Sequence, residues 1–432
     1  MKYWNRRKKY QMIYILVDFI SSMSIWGAFL IFRWLVYEGR MFSVDTVLIP
    51  MFDFYTPMCL YPLGCLCVYY LSGYYLRPLR KRYSREFVRT LVSAMVIAMG
   101  AFFLIVIDDA VGGNYQRYMV SLLVLVLIQF VGSYLPRLLV TYVAHKLDVD
   151  SPRQYTICSM EELNAFKQEH AEHPYDEVIL DLKSQTRESD IYTIINQLYP
   201  ANLEISVVPN LYDMLTGAAM IEDVSDRPLI PITEHKMSDT ELCIKRAFDI
   251  VVSALLLVLL LPVFICVALL VKCSSKGPVF YTQERIGQHG LPFDIIKFRT
   301  MHVHAENDTP QLSLDNDPRV TKVGRWLRKY RLDELPQFWN ILRGDMSIVG
   351  PRPERRYFIN QIEKIAPYYC LLYKIRPGLA SWGPIRVGYT DTLDKMIRRL
   401  NYDIVYLENM SISLDLKIMF YTMGVILNGK GK

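Results

Sequence analysis

The stretch Arg328-Lys-Tyr-Arg-Leu-Asp-Glu-Leu-Pro-Gln-Phe-Trp-Asn340 places two adjacent carboxylates, Asp333 and Glu334, between a basic run and a proline. Pro336 suits the first turn of a helix, where its missing N–H needs no partner. The apolar residues after it can form one face of that helix. The pattern therefore predicts Asp333 as the N-cap and Glu334 as the first helical residue, at the positive end of a helix dipole.

This mixture of acids and bases has two interpretations. Phosphate chemistry uses carboxylates to hold a divalent cation or to attack phosphorus, and it uses cations such as Arg328 and Arg331 to neutralise phosphate oxygens. Alternatively, the pair is a helix cap beside a surface ion pair, which is the commoner case for an isolated Asp-Glu. The remainder of the chain has to decide between them.

The composition indicates a membrane protein. The chain has 432 residues, of which 52% are hydrophobic and 13% aromatic, and this is too apolar for a soluble protein of its size. The eight cysteines are scattered without disulfide or metal-site spacing, which is typical of small buried side chains in a reducing compartment. The first apolar segment is too long for a signal-peptide core, so we expect it to remain in the mature protein.

Residues 1–146 are predicted to form a bundle of four transmembrane helices. Apolar stretches of spanning length occupy about 11–36, 47–74, 88–107 and 118–144. Basic residues cluster before the first stretch and between the second and third, whereas the other two loops have no such excess. The positive-inside rule then places the N-terminus and everything after residue 146 in the cytoplasm. The alternative is four core helices of a soluble protein.

Residues 147–241 are predicted to form a small Rossmann-like α/β module. The predicted strands are Tyr155–Cys158, Glu177–Leu182 and Glu204–Val208. The predicted helices are Glu161–His170, Asp190–Leu198 and Leu211–Ala219. The segment after the first strand has no glycine loop, so we expect a structural or regulatory role rather than dinucleotide binding. Self-association into a homodimer through this module is a hypothesis.

A fifth apolar run extends from Ile250 to Val271 and has Pro262 at its centre. A full crossing would export the basic residues that follow, which contradicts the positive-inside rule. A helix kinked at Pro262 can instead enter the membrane and return on the same side. We therefore predict a re-entrant helix over about residues 247–272.

Three more basic residues are candidates for binding an anion. Lys297 and Arg299 lie two apart in a strand-like segment, so their side chains should share one face. This suits an anion site, although a solvated strand edge gives the same pattern. Arg352 lies between two prolines, which hold an extended backbone suited to a preorganised phosphate contact. The aromatic, basic stretch 357–374 fits either a membrane surface or the core.

From Lys245 to about Thr422 the chain resembles the bacterial sugar transferases, which are monotopic polyprenyl-phosphate phosphoglycosyl transferases. This family initiates capsule, O-antigen and exopolysaccharide synthesis. Its long members have four N-terminal spans and an α/β module before the transferase domain. The matching segments are Lys245-Arg-Ala-Phe-Asp249, Gly277-Pro-Val-Phe-Tyr281, Lys297-Phe-Arg-Thr-Met301, Asp317-Pro-Arg-Val-Thr321, Leu332-Asp-Glu-Leu-Pro-Gln337, Gly350-Pro-Arg-Pro353 and Arg376-Pro-Gly378.

The resemblance implies an α-rich (α+β) catalytic domain over residues 242–432, on the cytoplasmic face of the bacterial inner membrane. The implied substrates are a UDP-sugar and polyprenyl (undecaprenyl) phosphate, with Mg²⁺ as cofactor, membrane lipid as a partner and no nucleic acid. The implied reaction is ping-pong, through a covalent phosphosugar intermediate on Asp333.

By position, the family assigns roles to several residues. Glu334 would ligate Mg²⁺ with Asp333 and act as a base. The implied substrate-binding residues are Lys297, Arg328, Arg352 and Asp415, to which the strand argument adds Arg299.

The sequence departs from the family in two places. Arg331 stands where a serine is usual, and the stretch Pro377-Gly-Leu-Ala-Ser-Trp-Gly-Pro-Ile-Arg-Val-Gly388 is altered, which puts sugar specificity in question. Two other functions remain open. One is a membrane-anchored sensor that binds a nucleotide through residues 147–241. The other is a processive synthase that uses Asp148 or Asp315 for metal, although Arg325-Trp326 lacks the glutamine of its acceptor motif.

Overall fold

We describe the fold from a computed structural model. The described residues are 2–37, 50–76, 83–108, 115–146, 153–172, 175, 177–181, 188–201, 203–208, 230–232, 236–303, 317–388 and 392–427. The chain divides into two compact units: Met1–Pro152 with Asp239–Ile244, and Arg153–Ser238 with Lys245–Lys432. The predicted 147–241 and 242–432 segments therefore belong mainly to one unit.

A helix is present at each of the four predicted spans. These helices are α1 (Lys2–Tyr37), α2 (Pro50–Leu71), α3 (Tyr83–Asp108) and α4 (Tyr115–Lys146). Within α1, α3 and α4, the segments Lys8–Phe32, Glu86–Phe103 and Met119–Ala144 are long and apolar enough to cross a bilayer, whereas the apolar segment Leu60–Leu71 of α2 is shorter. The protein is therefore a membrane protein, with three candidate spans among the described N-terminal residues.

A buried ion pair lies inside this helical bundle. The Arg137 guanidinium on α4 donates to both carboxylate oxygens of Asp18 on α1, at 2.7 and 2.9 Å, and both side chains are fully buried. The rings of Tyr69 and Tyr74 stack on the guanidinium at 3.8 and 3.9 Å. Because an unpaired charge at this depth would be costly, the pair fixes α1 against α4.

Alternating strands and helices follow in the second unit. They are β1 (Gln154–Ile157), α5 (Met160–Glu172), β2 (Glu177–Leu180), α6 (Glu188–Leu198), β3 (Glu204–Val207) and β4 (Ile230–Pro231). The first three strands are parallel and β4 is antiparallel to β3. Each predicted strand is thus present to within two residues, while the predicted helix Leu211–Ala219 lies outside the described residues.

The fifth apolar run forms two helices with a sharp bend between them. Helix α7 (Asp239–Leu259) and helix α8 (Leu261–Ser274) meet at 63°. Pro262 lies in the first turn of α8, where its missing N–H breaks the hydrogen-bond ladder across the junction. The predicted kink is therefore present, and by length and composition the pair is either a broken span or a re-entrant loop.

The rest of the second unit surrounds two small sheets. Its strands are β5 (Phe280–Ile286), β6 (Pro292–Phe298), β7 (Ser347–Val349) and β8 (Gly378–Ala380). Its helices are α9 (Lys322–Lys329), α10 (Gln337–Arg343), α11 (Arg356–Ile362), α12 (Trp382–Val387), α13 (Leu393–Glu408) and α14 (Ile412–Leu427). Strands β5 and β6 form an antiparallel hairpin, whereas β7 and β8 are parallel.

One hydrophobic core joins the α/β segment to the C-terminal part. Ile194 and Ile195 of α6 belong to the same buried cluster as Ile359 of α11 and Cys370 of the 3₁₀ helix Pro367–Lys374. The aromatic stretch 357–374 therefore lies mainly in the core, because its apolar residues face α6 and α13. Of the two alternatives that the sequence left open, the structure supports the core.

Candidate active site

The α-helix that follows the carboxylate pair begins about one turn later than predicted. Asp333 and Glu334 belong to a 3₁₀ helix, Leu332–Glu334, and α10 begins only at Gln337. The prediction of Asp333 as N-cap is therefore wrong. The residue before the 3₁₀ helix, Arg331, has the left-handed backbone conformation (φ 53°), which turns the chain after α9 and makes room for the extra turn.

Glu334 is held by three cations. Lys297 Nζ and Arg352 Nη2 both donate to its Oε1 at 3.0 Å, and Arg331 Nη1 donates to its Oε2 at 3.2 Å. Burial pushes the pKa of Glu334 up, but the charges of Lys297, Arg352 and Arg331 outweigh burial and hold it well below the ordinary value. Glu334 is therefore an ionised anchor for three basic side chains that come from different elements.

Asp333 has a different environment, although it is the next residue. Its side chain is buried, with 8% of the residue exposed, and within the described part of the chain no group donates a hydrogen bond to its carboxylate. Burial and then the charge of Glu334 raise its pKa, while Lys297, Arg328 and Arg331 oppose the rise. A weakly solvated carboxylate without hydrogen-bond donors is suited to act as a nucleophile.

Two of the predicted basic residues lie beside the pair, as expected. Lys297 occupies β6 and faces Glu334, and burial lowers its pKa although Glu334 opposes that effect. Arg328, near the end of α9, donates from Nε to Thr300 Oγ1 at 2.9 Å, and its charge acts on Asp333. Both cations are thus close enough to neutralise negative charge that develops at Asp333.

Arg299 does not share the site with Lys297. Strand β6 ends at Phe298, so the alternation of faces does not extend to the next residue. The Arg299 guanidinium instead donates to the backbone oxygens of Ser275 and Lys276 at 2.7 and 2.8 Å. The structure therefore places Arg299 as a support of the loop between α8 and β5, and the prediction that it lines the anion site is not met.

Asp415 lies in a separate cluster. Its carboxylate accepts from Lys245 Nζ at 2.5 Å and from Tyr406 Oη at 2.7 Å. None of its contacts among the described residues reaches Asp333 or Glu334. The structure thus brings together Lys297, Arg328 and Arg352 around the pair and leaves Asp415 outside it.

Two contributors were missed by the sequence. Arg331 was named as a cation near the pair and as a departure from the family, but its contact with Glu334, on which it is the third cation, was not predicted. Glu354 follows the Arg352 motif directly, and it accepts from Arg285 at 3.3 Å and from Arg399. Burial alone would raise the pKa of Glu354, but Arg399 and Arg285 hold it below its ordinary value. Its place in the motif Gly350-Pro-Arg-Pro-Glu354 was the available signal.

The donor set allows only a limited role for a metal. Among the described residues, no group of three or more His, Cys, Asp or Glu side chains could hold an ion. Both oxygens of Glu334 already accept from cations. Asp333 has the open carboxylate, and Mg²⁺ commonly uses one or two carboxylates together with substrate phosphates. If an ion binds here, Asp333 would be the residue that holds it, together with phosphate oxygens of a substrate.

The apolar helices and the buried acid pair with its neighbouring cations are the features of a membrane protein with a charged site in its second compact unit. Residues 240–429 match the bacterial sugar transferase family, and the chain belongs to that family.

Several curated relatives are similar over this region. The UDP-glucose:undecaprenyl-phosphate glucose-1-phosphate transferase of Escherichia coli is 39% identical over 232 residues, which cover 53% of this chain and 50% of the relative. The UDP-N-acetylgalactosamine-undecaprenyl-phosphate N-acetylgalactosaminephosphotransferase of Aeromonas hydrophila is 35% identical over 257 residues, or 60% of each chain. The exopolysaccharide production protein ExoY of Rhizobium meliloti is 37% identical over 202 residues, or 43% of this chain and 87% of that protein. The chain thus spans half to three fifths of the first two relatives.

Proposed function

We propose that this protein transfers a sugar 1-phosphate from a UDP-sugar to undecaprenyl phosphate, releasing UMP and forming an undecaprenyl-diphosphate sugar. The family and the printed activities of the relatives support the reaction class. The single observation that carries the chemistry is the contrast within the acid pair: Glu334 is fixed by three cations, whereas Asp333 accepts no hydrogen bond from any described residue.

The proposed mechanism has two displacements at phosphorus. An Asp333 oxygen attacks the β-phosphorus of the UDP-sugar, the bond to the bridging oxygen breaks, and UMP leaves with that oxygen. The undecaprenyl phosphate oxygen then attacks the same phosphorus and returns the electron pair to Asp333. The acyl phosphate between the steps divides one difficult transfer into two easier ones. Lys297, Arg328 and Arg352 would neutralise the phosphate oxygens, and Mg²⁺, when bound at Asp333, would supply further charge neutralisation.

The proposal includes the location of the reaction. We place α7 and α8 as a re-entrant helix in the bacterial inner membrane, with the catalytic domain on the cytoplasmic face. The basic residues after Pro262 support this topology. A re-entrant helix would keep the site at headgroup depth, where the lipid phosphate meets a water-soluble nucleotide. The Rossmann-like character of the α/β segment and its use in a homodimer belong to the same proposal.

The test uses the full chain in lipid nanodiscs. A panel of UDP-sugars is supplied with Mg²⁺ and undecaprenyl phosphate, and UMP release is measured. We expect Asp333→Asn to lose release by at least 10³-fold and to lose the phosphosugar adduct that mass spectrometry detects when the lipid is omitted. Asp394→Asn is the matched control, because this carboxylate is exposed on α13. Full turnover by Asp333→Asn, or a polymer as the product, would contradict the proposal.

A further inference from the structure

Helix α7 contacts the backbone of β7 through two charged side chains. Lys245 Nζ donates to the carbonyl oxygen of Val349 at 2.9 Å, and Asp249 Oδ1 accepts from the Ile348 N–H at 3.0 Å. Lys245 and Asp249 are four residues apart, so they lie on the same face of the helix. Both contacts go to main-chain atoms, and they fix the path of β7 rather than the rotamer of one side chain.

Between them in sequence, Arg246 contacts the end of another helix. Its guanidinium donates to the carbonyl oxygens of Ile341 and Leu342 at 2.7 and 3.0 Å. These carbonyls belong to the last turn of α10, where backbone acceptors have no partner within the helix. An arginine at this end also complements the negative end of the helix dipole. Arg246 therefore fixes α10 against α7.

Helix α10 and strand β7, which α7 contacts, belong to one segment that begins and ends at the active site. The segment from Asp333 to Arg352 contains the acid pair, α10 and β7, and it closes on itself because Arg352 contacts Glu334 at 3.0 Å. The contacts from α7 fall in the middle of this segment, at residues 341–349. Helix α7 therefore contacts the middle of a segment that carries Asp333 at one end and Arg352 at the other, and among the described contacts it touches neither residue directly.

We propose that Lys245, Arg246 and Asp249 form a clamp that positions Asp333 and Arg352 for phosphoryl transfer. The proposal rests on the proposed function. Because α7 continues into the bent apolar pair with α8, the clamp transmits the position of the apolar helices to the reacting groups. These are positioning residues, since none of their described contacts reaches the carboxylate pair.

The clamp also explains the position of Asp415. This carboxylate accepts from Lys245 and from Tyr406, so it orients the ammonium group that holds Val349. Lys245 is mostly buried, with 13% of its side chain exposed, and the charge of Asp415 compensates for that burial. Asp415 thus acts through Lys245, rather than on the substrate as the resemblance implied.

The test measures the segment and the chemistry separately, on the full chain in nanodiscs. The variants Lys245→Met and Asp249→Leu remove one contact each, whereas Asp249→Asn keeps an oxygen that accepts from Ile348. Hydrogen exchange of the 341–352 peptide reports the segment. We expect exchange at least tenfold faster in Asp249→Leu and within threefold of wild type in Asp249→Asn. Phe248→Leu, on an exposed part of α7, should match wild type.

The second readout is single-turnover formation of the Asp333 adduct. Misplacement of reacting groups by about 1 Å costs about 10²-fold in rate. We therefore expect the rate constant to fall 10–100-fold in Lys245→Met and Asp249→Leu, while the final amount of adduct per protein is kept. Asp249→Asn should keep the rate constant within about threefold.

Three outcomes would overturn the clamp. They are an unchanged rate constant, a loss of adduct amount at an unchanged rate constant (which indicates only fewer folded molecules), and unchanged exchange of the 341–352 peptide. The proposed function fails in a different way, because wild type itself would then release no UMP and form no adduct. The exchange measurement decides on the clamp contacts in either case.

Discussion

Replacing Glu334 by glutamine should destabilise the protein and change the titration of its neighbour. The substitution keeps the shape of the side chain but leaves Lys297, Arg331 and Arg352 without their shared anion. The amide can still accept from two of these cations through its oxygen. Its NH₂ group, however, would face a third cation, because the structure has donors on both oxygens of Glu334.

The magnitude follows from how buried the ion pairs are. Removing one partner of a fully buried pair costs about 3–5 kcal/mol, whereas an exposed pair contributes about 0.2–1 kcal/mol. The three cations keep 19–30% of their side chains exposed, and Glu334 keeps 9%. We therefore expect a loss of about 2–3 kcal/mol, which corresponds to a midpoint about 5–10 °C lower for a unit of this size.

The same substitution should move the pH dependence of turnover. Burial and the charge of Glu334 raise the pKa of Asp333, so the ionised nucleophile forms only as the pH rises through that raised value. Removing the charge of Glu334 eliminates one of the two causes, while the nearby cations continue to lower the pKa. The acidic limb of kcat/KM should therefore lie at lower pH in Glu334→Gln than in wild type.

Thermal unfolding and the pH profile are both measured on the full chain in nanodiscs. The control is Arg343→Gln, because the pair of Arg343 with Asp345 spans 3.5 Å and the arginine side chain is 63% exposed. This control should change the midpoint by less than about 2 °C and leave the acidic limb in place. The reasoning would be refuted if Glu334→Gln behaved like this control in both measurements.

Two further substitutions test the packing of the second unit. Gly277→Ala should lower the unfolding midpoint by several degrees in a thermal melt. A Cβ at this residue would lie 1.9 Å from Arg299 Nη1, and the glycine has a φ of 129°. The control Gly424→Ala should not lower the midpoint, because a Cβ at that residue would lie in open space. Tyr199→Phe should stabilise the protein by up to about 1 kcal/mol in the same melt, because it removes a buried hydroxyl that has no partner among the described residues; a lower midpoint would contradict this.

The helices, strands and kink of this fold could be predicted because their signals are local. The spans follow from the length of apolar runs, the strands from short buried runs, and the bend from Pro262. The pairing of Asp18 with Arg137 could not be predicted in this way. The two residues are 119 apart in sequence, and no local pattern indicates which residue a buried charge will meet.

The sequence predicted most of the residues around the acid pair, but it did not predict which atoms they contact. The sequence indicated that Lys297 and Arg352 lie near the acid pair, and both contact Glu334. The sequence could not show that Arg299 lies away from the acid pair. The end of β6 depends on where its hairpin partner β5 stops pairing with it, and a local pattern does not indicate that residue. The sequence also predicted that the helix begins directly after Asp333, about one turn too early, since the residue type of Arg331 does not indicate the left-handed conformation that it adopts.

The site contains more basic side chains than acidic ones. Four cations act on the two carboxylates: Lys297, Arg328, Arg331 and Arg352. Counted over these six side chains alone, with Glu334 and Asp333 ionised, the positive charges exceed the negative ones by about two. A buried surplus of this kind is unfavourable unless an anion offsets it. Under the proposed function, the diphosphate of the UDP-sugar carries about two negative charges, and its binding beside Asp333 would offset this excess.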